Sequence, residues 1–172
     1  MQIGKKDEEI RKALKSRIYP FDSLSRYKYV VVFANYRGQW IFSRHKNRTT
    51  WESQGGHIED GETPMDAARR ELYEESGAKC AEIYPVSDYL GYNDLSSANG
   101  QVFLAVVKEM APLPESEIAE ILFSETLPEN LTYPMTTPKL FEEARRVFEG
   151  MGEGNGKRLE SIIQMGITPF AL

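Results

Sequence analysis

Hydrophobic side chains recur along this chain with two periods, which predict helices in some segments and strands in others. Helical spacing occurs over residues 7–17 and over residues 140–148, where the second helix is expected to begin near Thr136-Thr137-Pro138. Segments rich in β-branched and aromatic residues predict strands over residues 27–36, 39–44, 81–92, 101–110 and 120–125, with turns at Arg37-Gly38 and at residues 96–100. Strands mixed with flanking helices indicate an α/β fold with a mixed sheet.

A further helix with clear end signals is predicted between Thr63 and Gly77. Thr63 is a good N-cap residue, and Pro64 suits the first helical position because its missing N–H is not needed there. Gly77 supplies the left-handed conformation that commonly ends a helix. One stripe of this helix is apolar and can face a core; its members are Met65, Ala68 and Leu72.

The same helix carries three carboxylates on one side, behind a Gly-Gly turn. At about 100° per residue, Glu71, Glu74 and Glu75 fall within an arc of roughly 100°. Like charges at this spacing destabilise an isolated helix by roughly 0.2–0.5 kcal/mol per pair. A solvated acidic face would explain a lone charge run. The upstream glycines and Glu62 favour a bound cation instead.

Residues 56–78 read GHIEDGETPMDAARRELYEESGA and resemble the signature of the Nudix hydrolases without a gap. That signature is G-x5-E-x7-R-E-U-x-E-E-x-G-U, where U is a bulky aliphatic residue, and Ala78 is small for the last position. The family usually has Pro before the glycine pair, where this chain has Gln54. We expect activity to survive this replacement because turns tolerate substitution, although Gln54 can also point into the substrate site.

The resemblance implies a Nudix-type α/β/α sandwich that spans residues 1–172 as a single domain. It implies hydrolysis of a diphosphate bond in a nucleoside diphosphate linked to another group, with Mg²⁺ or Mn²⁺ as the cofactor. Carboxylate oxygens suit these hard cations. The implied metal ligands are Gly56 through its carbonyl, Glu71, Glu74 and Glu75. One of these glutamates would act as the base or orient the attacking water, while Glu62 and Arg70 match a catalytic pair that braces the loop against the helix.

Substrate contacts must come from outside the motif. The candidates are Arg44, Trp51, Gln54 and Tyr92. Arg44 belongs to a basic stretch with His45, Lys46 and Arg48 that is suited to terminal phosphates, with an exposed charged loop as an equal alternative. Other aromatic candidates for base stacking are Tyr29, Phe33, Tyr89 and Phe103, for which burial in the core is the default. An extra catalytic glutamate is expected among Glu115, Glu117 and Glu120.

The favoured substrate is a nucleoside triphosphate, intact or oxidised, because residues 127–131 (LPENL) resemble bacterial house-cleaning nucleoside triphosphatases. ADP-ribose, a dinucleoside polyphosphate or a nucleotide sugar are the alternatives within the family. An enzyme like isopentenyl-diphosphate isomerase is less favoured, since that reaction needs a cysteine before the helix and Cys80 follows it. A non-catalytic nucleotide-sensing domain typically lacks the helix glutamates, and all three are retained here.

The resemblance implies a small-molecule nucleotide as the partner, and composition argues against other kinds of partner. The net charge of −5 argues against binding to extended nucleic acid. Cys80 is the single cysteine and is expected to be a packing residue. No apolar run predicts a membrane span or a secretory signal, so a cytoplasmic location is expected. A Gly-rich linker over residues 150–156 and a helical tail over residues 157–172 complete the chain, whose last segment, ITPFAL, can cover an apolar patch or a partner in a homodimer.

Overall fold

The computed structural model describes residues 2–152 and 170–171, which form one mixed sheet with helices around it. The helices are α1 (Gln2–Ala13), α2 (Pro64–Ser76) and α3 (Thr137–Met151). The strands are β1 (Lys15–Tyr19), β2 (Tyr27–Tyr36), β3 (Gln39–His45), β4 (Gln54–His57), β5 (Ala78–Tyr92), β6 (Ser97–Met110), β7 (Ile118–Ser124) and β8 (Phe170–Ala171). They pair in the order β1-β5-β6-β2-β3-β7, with β4 beside β2 and β8 beside β5. The β2–β6 pair is parallel and the others are antiparallel, which confirms the predicted mixed sheet.

Strand β2 shows how the sheet separates two cores, because its side chains alternate between the faces. Val30 and Val32 are buried in a cluster that includes Leu72 of α2. Phe33 points to the other face, where its ring lies 5.5 Å from that of Phe141 on α3. One helix therefore covers each face, and the α/β/α sandwich is confirmed.

Both ends of α2 follow the local signals in the sequence. The Thr63 side chain accepts a hydrogen bond from the Asp66 N–H at 3.1 Å, and the Asp66 carboxylate accepts one from the Thr63 N–H at 2.9 Å, which forms a capping box. At the other end Gly77 has a φ of 76°. A Cβ at this position would lie 2.5 Å from the Ala111 carbonyl oxygen, so the position also needs glycine for space.

Two predicted boundaries, the end of the first helix and the turn before β6, were wrong. The helix expected to reach residue 17 ends at Ala13, and residues 15–19 form β1. This strand pairs with β5, where Lys15 lies opposite Tyr92, and such a distant partner leaves no trace in local hydrophobic spacing. The turn expected at residues 96–100 lies at residues 93–96 instead, because β6 already begins at Ser97.

The C-terminal predictions fall partly outside the described residues. The linker was expected from residue 150, but α3 continues to Met151, and residues 153–156 lie outside the described residues. The last helix predicted over residues 157–165 lies outside the described residues. Phe170–Ala171 form a strand pair with Ile83 and Glu82, so a helical tail reaching residue 172 was wrong for these two residues.

Cys80 was expected to pack in the interior, and this was wrong. The residue is exposed and has a positive φ of 46° at the start of β5. No helix among the described residues is long and apolar enough to cross a bilayer.

Candidate active site

Arg70 joins α2 to the loop that precedes it. Its Nε donates to Glu62 Oε1 at 2.7 Å and its Nη2 donates to Glu62 Oε2 at 2.9 Å, which is a bidentate ion pair. Nη2 also donates to the carbonyl oxygen of His57 at 3.0 Å. These hydrogen bonds from Arg70, together with one from the Glu59 N–H, lower the pKa of Glu62 to about 2. The loop is therefore tied to the helix through Glu62 and Arg70, the two residues that the resemblance pairs.

Glu71 packs against the backbone of Gly56. A Cβ on Gly56 would lie 2.3 Å from Glu71 Oε1, so the carboxylate occupies the space that a side chain would need. The Glu71 side chain is 12% exposed and accepts a hydrogen bond from Arg70 Nη1 at 2.8 Å. Burial raises the pKa of this carboxyl, although the hydrogen bond from Arg70 acts in the opposite direction. A glycine at position 56 thus brings a backbone carbonyl and a buried carboxylate together.

Glu75 is held at both its carboxylate and its backbone carbonyl. The Gly55 N–H donates to Glu75 Oε2 at 2.8 Å, and Ser43 Oγ donates to the Glu75 carbonyl oxygen at 2.8 Å. Gln54 Nε2 in turn donates to Ser43 Oγ at 2.8 Å and to the Ile41 carbonyl oxygen at 3.1 Å. Burial raises the pKa of Glu75 to about 9. The structure therefore fixes this buried carboxyl against β4 through a defined set of hydrogen bonds.

Glu74 has the most open position of the three helix glutamates. Its side chain is 49% exposed, and Oε2 lies 3.5 Å from Arg70 Nη1. Together with Glu75 it borders a small cavity whose other walls include Glu115 and Glu117. Glu117 Oε2 also lies within hydrogen-bond distance of His45 Nε2, at 3.1 Å. Of the three candidates for an additional catalytic glutamate, Glu115 and Glu117 therefore lie beside the helix glutamates.

Glu120, the third candidate, makes a different contact. Its Oε1 accepts a hydrogen bond from Arg44 Nε at 2.7 Å. Arg44 Nη1 also donates to the Arg48 carbonyl oxygen at 3.0 Å. Within the described part of the chain, no group of three or more acidic, histidine or cysteine side chains already converges on one point as a metal site. Arg70 instead lies between Glu71 and Glu74.

A cleft of about 370 Å³ adjoins the glycine loop, between the sheet, the end of α1 and the start of α3. Its lining includes Gly55, Gly56 and His57 of β4 and three tyrosines, namely Tyr29, Tyr89 and Tyr133. The Tyr29 ring lies 4.5 Å from the His57 ring. Aromatic side chains in such a wall offer flat faces for a nucleobase. The cleft thus places apolar, aromatic surface next to the loop that carries Gly56.

Tyr89 reaches the cleft because the strand beside it has a glycine. A Cβ on Gly100 would lie 2.4 Å from the Tyr89 ring, so the ring lies directly over the glycine backbone. Tyr29, Phe33 and Tyr89 line the cleft, whereas Phe103 is buried in the core on the α2 side. The default of core burial was therefore right for Phe103, and also for Phe33 and Tyr89, which are 2% and 7% exposed although they border the cleft.

The four predicted substrate contacts lie in different places. Trp51 is half-buried and packs against the core on the α3 side, and its backbone N–H donates to the Asn130 carbonyl oxygen at 2.8 Å. Gln54 belongs to the lining of the cleft, but it is fully buried, and its amide nitrogen binds within the protein as described above. Tyr92 lies under the guanidinium of Arg17, 5.4 Å from its carbon. Their roles with substrate, like that of the paired Arg44, stay predictions.

Three residues that the sequence pattern does not single out also line the cleft: Arg11, Glu52 and Tyr133. Glu52 accepts hydrogen bonds from Arg48 Nη1 at 2.7 and 3.1 Å. Burial raises the pKa of Tyr133. Tyr133 directly precedes the capping segment of α3, and an aromatic residue at that place is the signal that could have indicated it. Arg11 carries no such signal, since it belongs to an ordinary charged helix.

A comparison with known protein families matches residues 25–144 to the NUDIX domain, and the chain belongs to this family. The RNA pyrophosphohydrolase of Psychrobacter sp. (strain PRwf-1) is 40% identical over 55 residues, which cover 32% of this chain and 29% of that protein. The RNA pyrophosphohydrolase of Tolumonas auensis is 43% identical over 53 residues, which cover 31% of this chain and 30% of that protein. The chain therefore matches less than a third of the length of these relatives.

Solved structures show the same fold. The pyrophosphohydrolase of Bacillus subtilis superposes with a TM-score of 0.66 at 20% identity and covers 77% of this chain and 90% of that one. A UDP-X diphosphatase gives a TM-score of 0.60, also at 20% identity, over 86% of this chain and 71% of that one. Identities this low support the fold and leave the substrate open.

Proposed function

We propose that this protein hydrolyses a diphosphate bond in a nucleotide, with Mg²⁺ or Mn²⁺ as the cofactor. The observation that carries the proposal is the close contact of two half-buried carboxylates, Glu71 and Glu75, with the Gly55-Gly56 backbone. Burying carboxylates without a cation is costly, and a bound divalent ion would remove this cost. A structural acidic face would not need a glycine beside each carboxylate.

The residues present fit such a cation. Gly56 lacks the Cβ that would displace Glu71, and all nearby donors are hard oxygen ligands. The ion would be held by the Gly56 carbonyl and by Glu71, Glu74 and Glu75. When bound, Mg²⁺ or Mn²⁺ supplies positive charge that offsets the charge of the diphosphate and favours attack by water. Because Arg70 shares Glu71 and Glu74, it also limits their repulsion when the ion is absent.

The chain's own residues divide the remaining work. Arg70 and Glu62 hold the loop so that Gly56 stays beside Glu71. The hydrogen bonds from the Gly55 N–H and from Ser43 Oγ keep Glu75 in one orientation. Glu74 is the helix glutamate with the freest access to solvent, and we assign it the task of orienting or deprotonating the attacking water. The tyrosine-lined cleft would hold the nucleoside and thereby align the diphosphate.

We favour a nucleoside triphosphate as the substrate. The cleft of about 370 Å³ suits one nucleoside and adjoins the glycine loop. The triphosphate end of an RNA is the second candidate, because the relatives from Psychrobacter and Tolumonas are RNA pyrophosphohydrolases. With a net charge of −5, contact with RNA would be confined to its end. A cytoplasmic location and a homodimer stay predictions.

Purified protein incubated with Mg²⁺ or Mn²⁺ would test the proposal against nucleoside triphosphates, RNA bearing a 5′-triphosphate, ADP-ribose, dinucleoside polyphosphates and nucleotide sugars. Glu74→Gln and Glu75→Gln should each reduce kcat by at least about 10²-fold. Glu109→Gln is the matched control, because Glu109 is an exposed glutamate of β6 away from the loop. Equal turnover by the wild type and both helix variants would contradict the assignment.

Metal binding has an independent readout. Addition of Mn²⁺ should raise the unfolding temperature of the wild type, since a ligand that binds only the folded state stabilises it. Glu71→Gln should lose most of this increase. If the metal-induced shift were the same in Glu71→Gln, the ion would bind elsewhere.

A further inference from the structure

Helix α1 forms part of the cleft although it lies outside the matched NUDIX residues 25–144. Ile10, Arg11 and Leu14 line the cleft from this helix and the residue that follows it. The same cleft is lined on the sheet side by Tyr29 and Tyr89. A segment outside the matched residues therefore contributes directly to the wall of the cleft.

The end of α1 nearest the cleft is held in place by two contacts. Thr136 Oγ1, just before α3, donates to the Leu14 carbonyl oxygen at 2.8 Å. The Leu14 side chain also packs beside Gly91 of β5, where a Cβ would lie 3.9 Å from Leu14 Cδ1. Thr136 and Gly91 both line the cleft. They position the last turn of α1, and with it Arg11, at the cleft wall.

Arg11 is a cation without a carboxylate partner within ion-pair distance among the described residues. The neighbouring Lys12 differs, because its Nζ lies 2.6 Å from Glu8. Glu52, the carboxylate that lines the cleft, is already bound by both hydrogen bonds from Arg48. A basic residue in the last turn of a helix interacts favourably with the helix dipole, and Lys12 has the same advantage as Arg11. The dipole therefore does not account for the position of Arg11 in the cleft.

A guanidinium presents a planar fork of N–H donors that matches a phosphate group. We propose that Arg11 binds a phosphate group of the nucleotide whose nucleoside lies against the cleft tyrosines, so that α1 determines substrate specificity. This inference rests on the proposed function, since it assumes that the cleft holds a nucleotide. The group is either in the 5′-polyphosphate or a 3′-phosphate such as a following RNA linkage would supply. Both sources have the same chemistry and can be separated by the choice of ligand.

Binding to the metal-free protein tests the contact without catalysis. The probes are the four common nucleosides, their 5′-triphosphates and their 3′,5′-bisphosphates, titrated by calorimetry into the wild type, Arg11→Gln, Arg11→Lys and Lys12→Gln. Arg11→Gln should weaken binding of at least one phosphorylated set by about tenfold or more and leave nucleoside binding unchanged. Arg11→Lys should show a smaller loss because it keeps the charge without the fork. Lys12→Gln, on the same helix, should behave as the wild type.

The set that is weakened identifies the phosphate. Loss for triphosphates alone indicates the β- or γ-phosphate, loss for both sets indicates the 5′ α-phosphate that they share, and loss for bisphosphates alone indicates the 3′ position. With an active substrate, Arg11→Gln should raise KM and leave kcat unchanged, as expected for a residue that binds without reacting. The proposal is overturned if Arg11→Gln weakens the binding of all ligands, nucleosides included, or of none. It is also overturned if Lys12→Gln has the same effect as Arg11→Gln, or if the wild type binds no probe. Failure of the proposed function would be recognised separately, by equal turnover of the wild type and Glu75→Gln.

Discussion

At the scale of single residues, three glycines have different physical roles, namely Gly55, Gly56 and Gly77. Gly77 combines a φ of 76° with a backbone oxygen 2.5 Å from any Cβ. Gly55 likewise has the Val30 carbonyl oxygen 2.3 Å from a Cβ position. At Gly56 the obstacle is the carboxylate of Glu71, the movable end of a side chain. Replacement of Gly56 should therefore disturb the site, whereas replacement of Gly77 should disturb the fold.

Gly56→Ala is expected to keep the fold and lose activity. The new methyl group would push the Glu71 carboxylate aside, and a shift of about 1 Å at a catalytic group can cost about 10²-fold in rate. Gly77→Ala should instead lower the free energy of unfolding by about 1–2 kcal/mol or more, because an L-residue is strained at this φ. Urea unfolding and kcat/KM, measured on both variants, check the contrast. A large loss of stability in Gly56→Ala would contradict it.

The ion pair of Glu62 with Arg70 predicts a pH dependence of stability. The pKa of Glu62 is lowered from 4.5 to about 2 in the folded protein, chiefly by hydrogen bonds from Arg70. A lowered folded pKa means that the stabilising contribution is present above about pH 4.5 and is lost as the pH falls through about 2. Glu62→Gln should thus be less stable than the metal-free wild type at pH 6, with the difference shrinking towards pH 2. Urea midpoints across this range measure it, and a difference independent of pH would contradict the assignment.

At the scale of elements, the local sequence determines where α2 begins and ends. It does not determine how α2 packs against β4. Thr63 and Gly77 bound the helix as predicted. The ties to the sheet run through Ser43, which joins Gln54 to the Glu75 carbonyl. Gln54 stands where the family usually has Pro, and its fully buried amide replaces a rigid turn with hydrogen bonds. This link between β3, β4 and α2 is a feature of this chain.

Ser43→Ala should lower the free energy of unfolding by about 1–3 kcal/mol, because it removes the hydroxyl that donates to the Glu75 carbonyl and accepts from Gln54 Nε2, which keeps only its hydrogen bond to the Ile41 carbonyl oxygen. It should also lower kcat by releasing Glu75. The matched control is Ser87→Ala, since Ser87 is similarly buried and its hydroxyl has no hydrogen-bond partner within the described structure. Chemical unfolding and steady-state kinetics would measure both. If both variants lost stability and kcat to a similar extent, the hydrogen bonds of Ser43 would have no special role.

At the scale of the whole molecule, strand β1 and the cleft show where local sequence patterns stop being informative. Residues 15–17 continue a helical spacing, yet they form a strand because β5 offers an edge more than seventy residues away. Tyr133 and Arg11 face the same cleft from distant segments of the chain, and only Tyr133 has a local signal, its place just before α3. Long-range contacts override local propensity at such positions.

The sequence by itself determined the start and end of α2, the arc of three glutamates and membership of the Nudix family. These features depend on capping, dihedral preferences and spacing, which act within a few residues. The tertiary structure alone decided that Glu75 is clamped by Gly55 and Ser43, that Trp51 packs in a core, and that Arg11 shares a cleft with Tyr89. These arrangements join residues far apart in the chain, so only the packing of helices on both faces of the sheet brings them together.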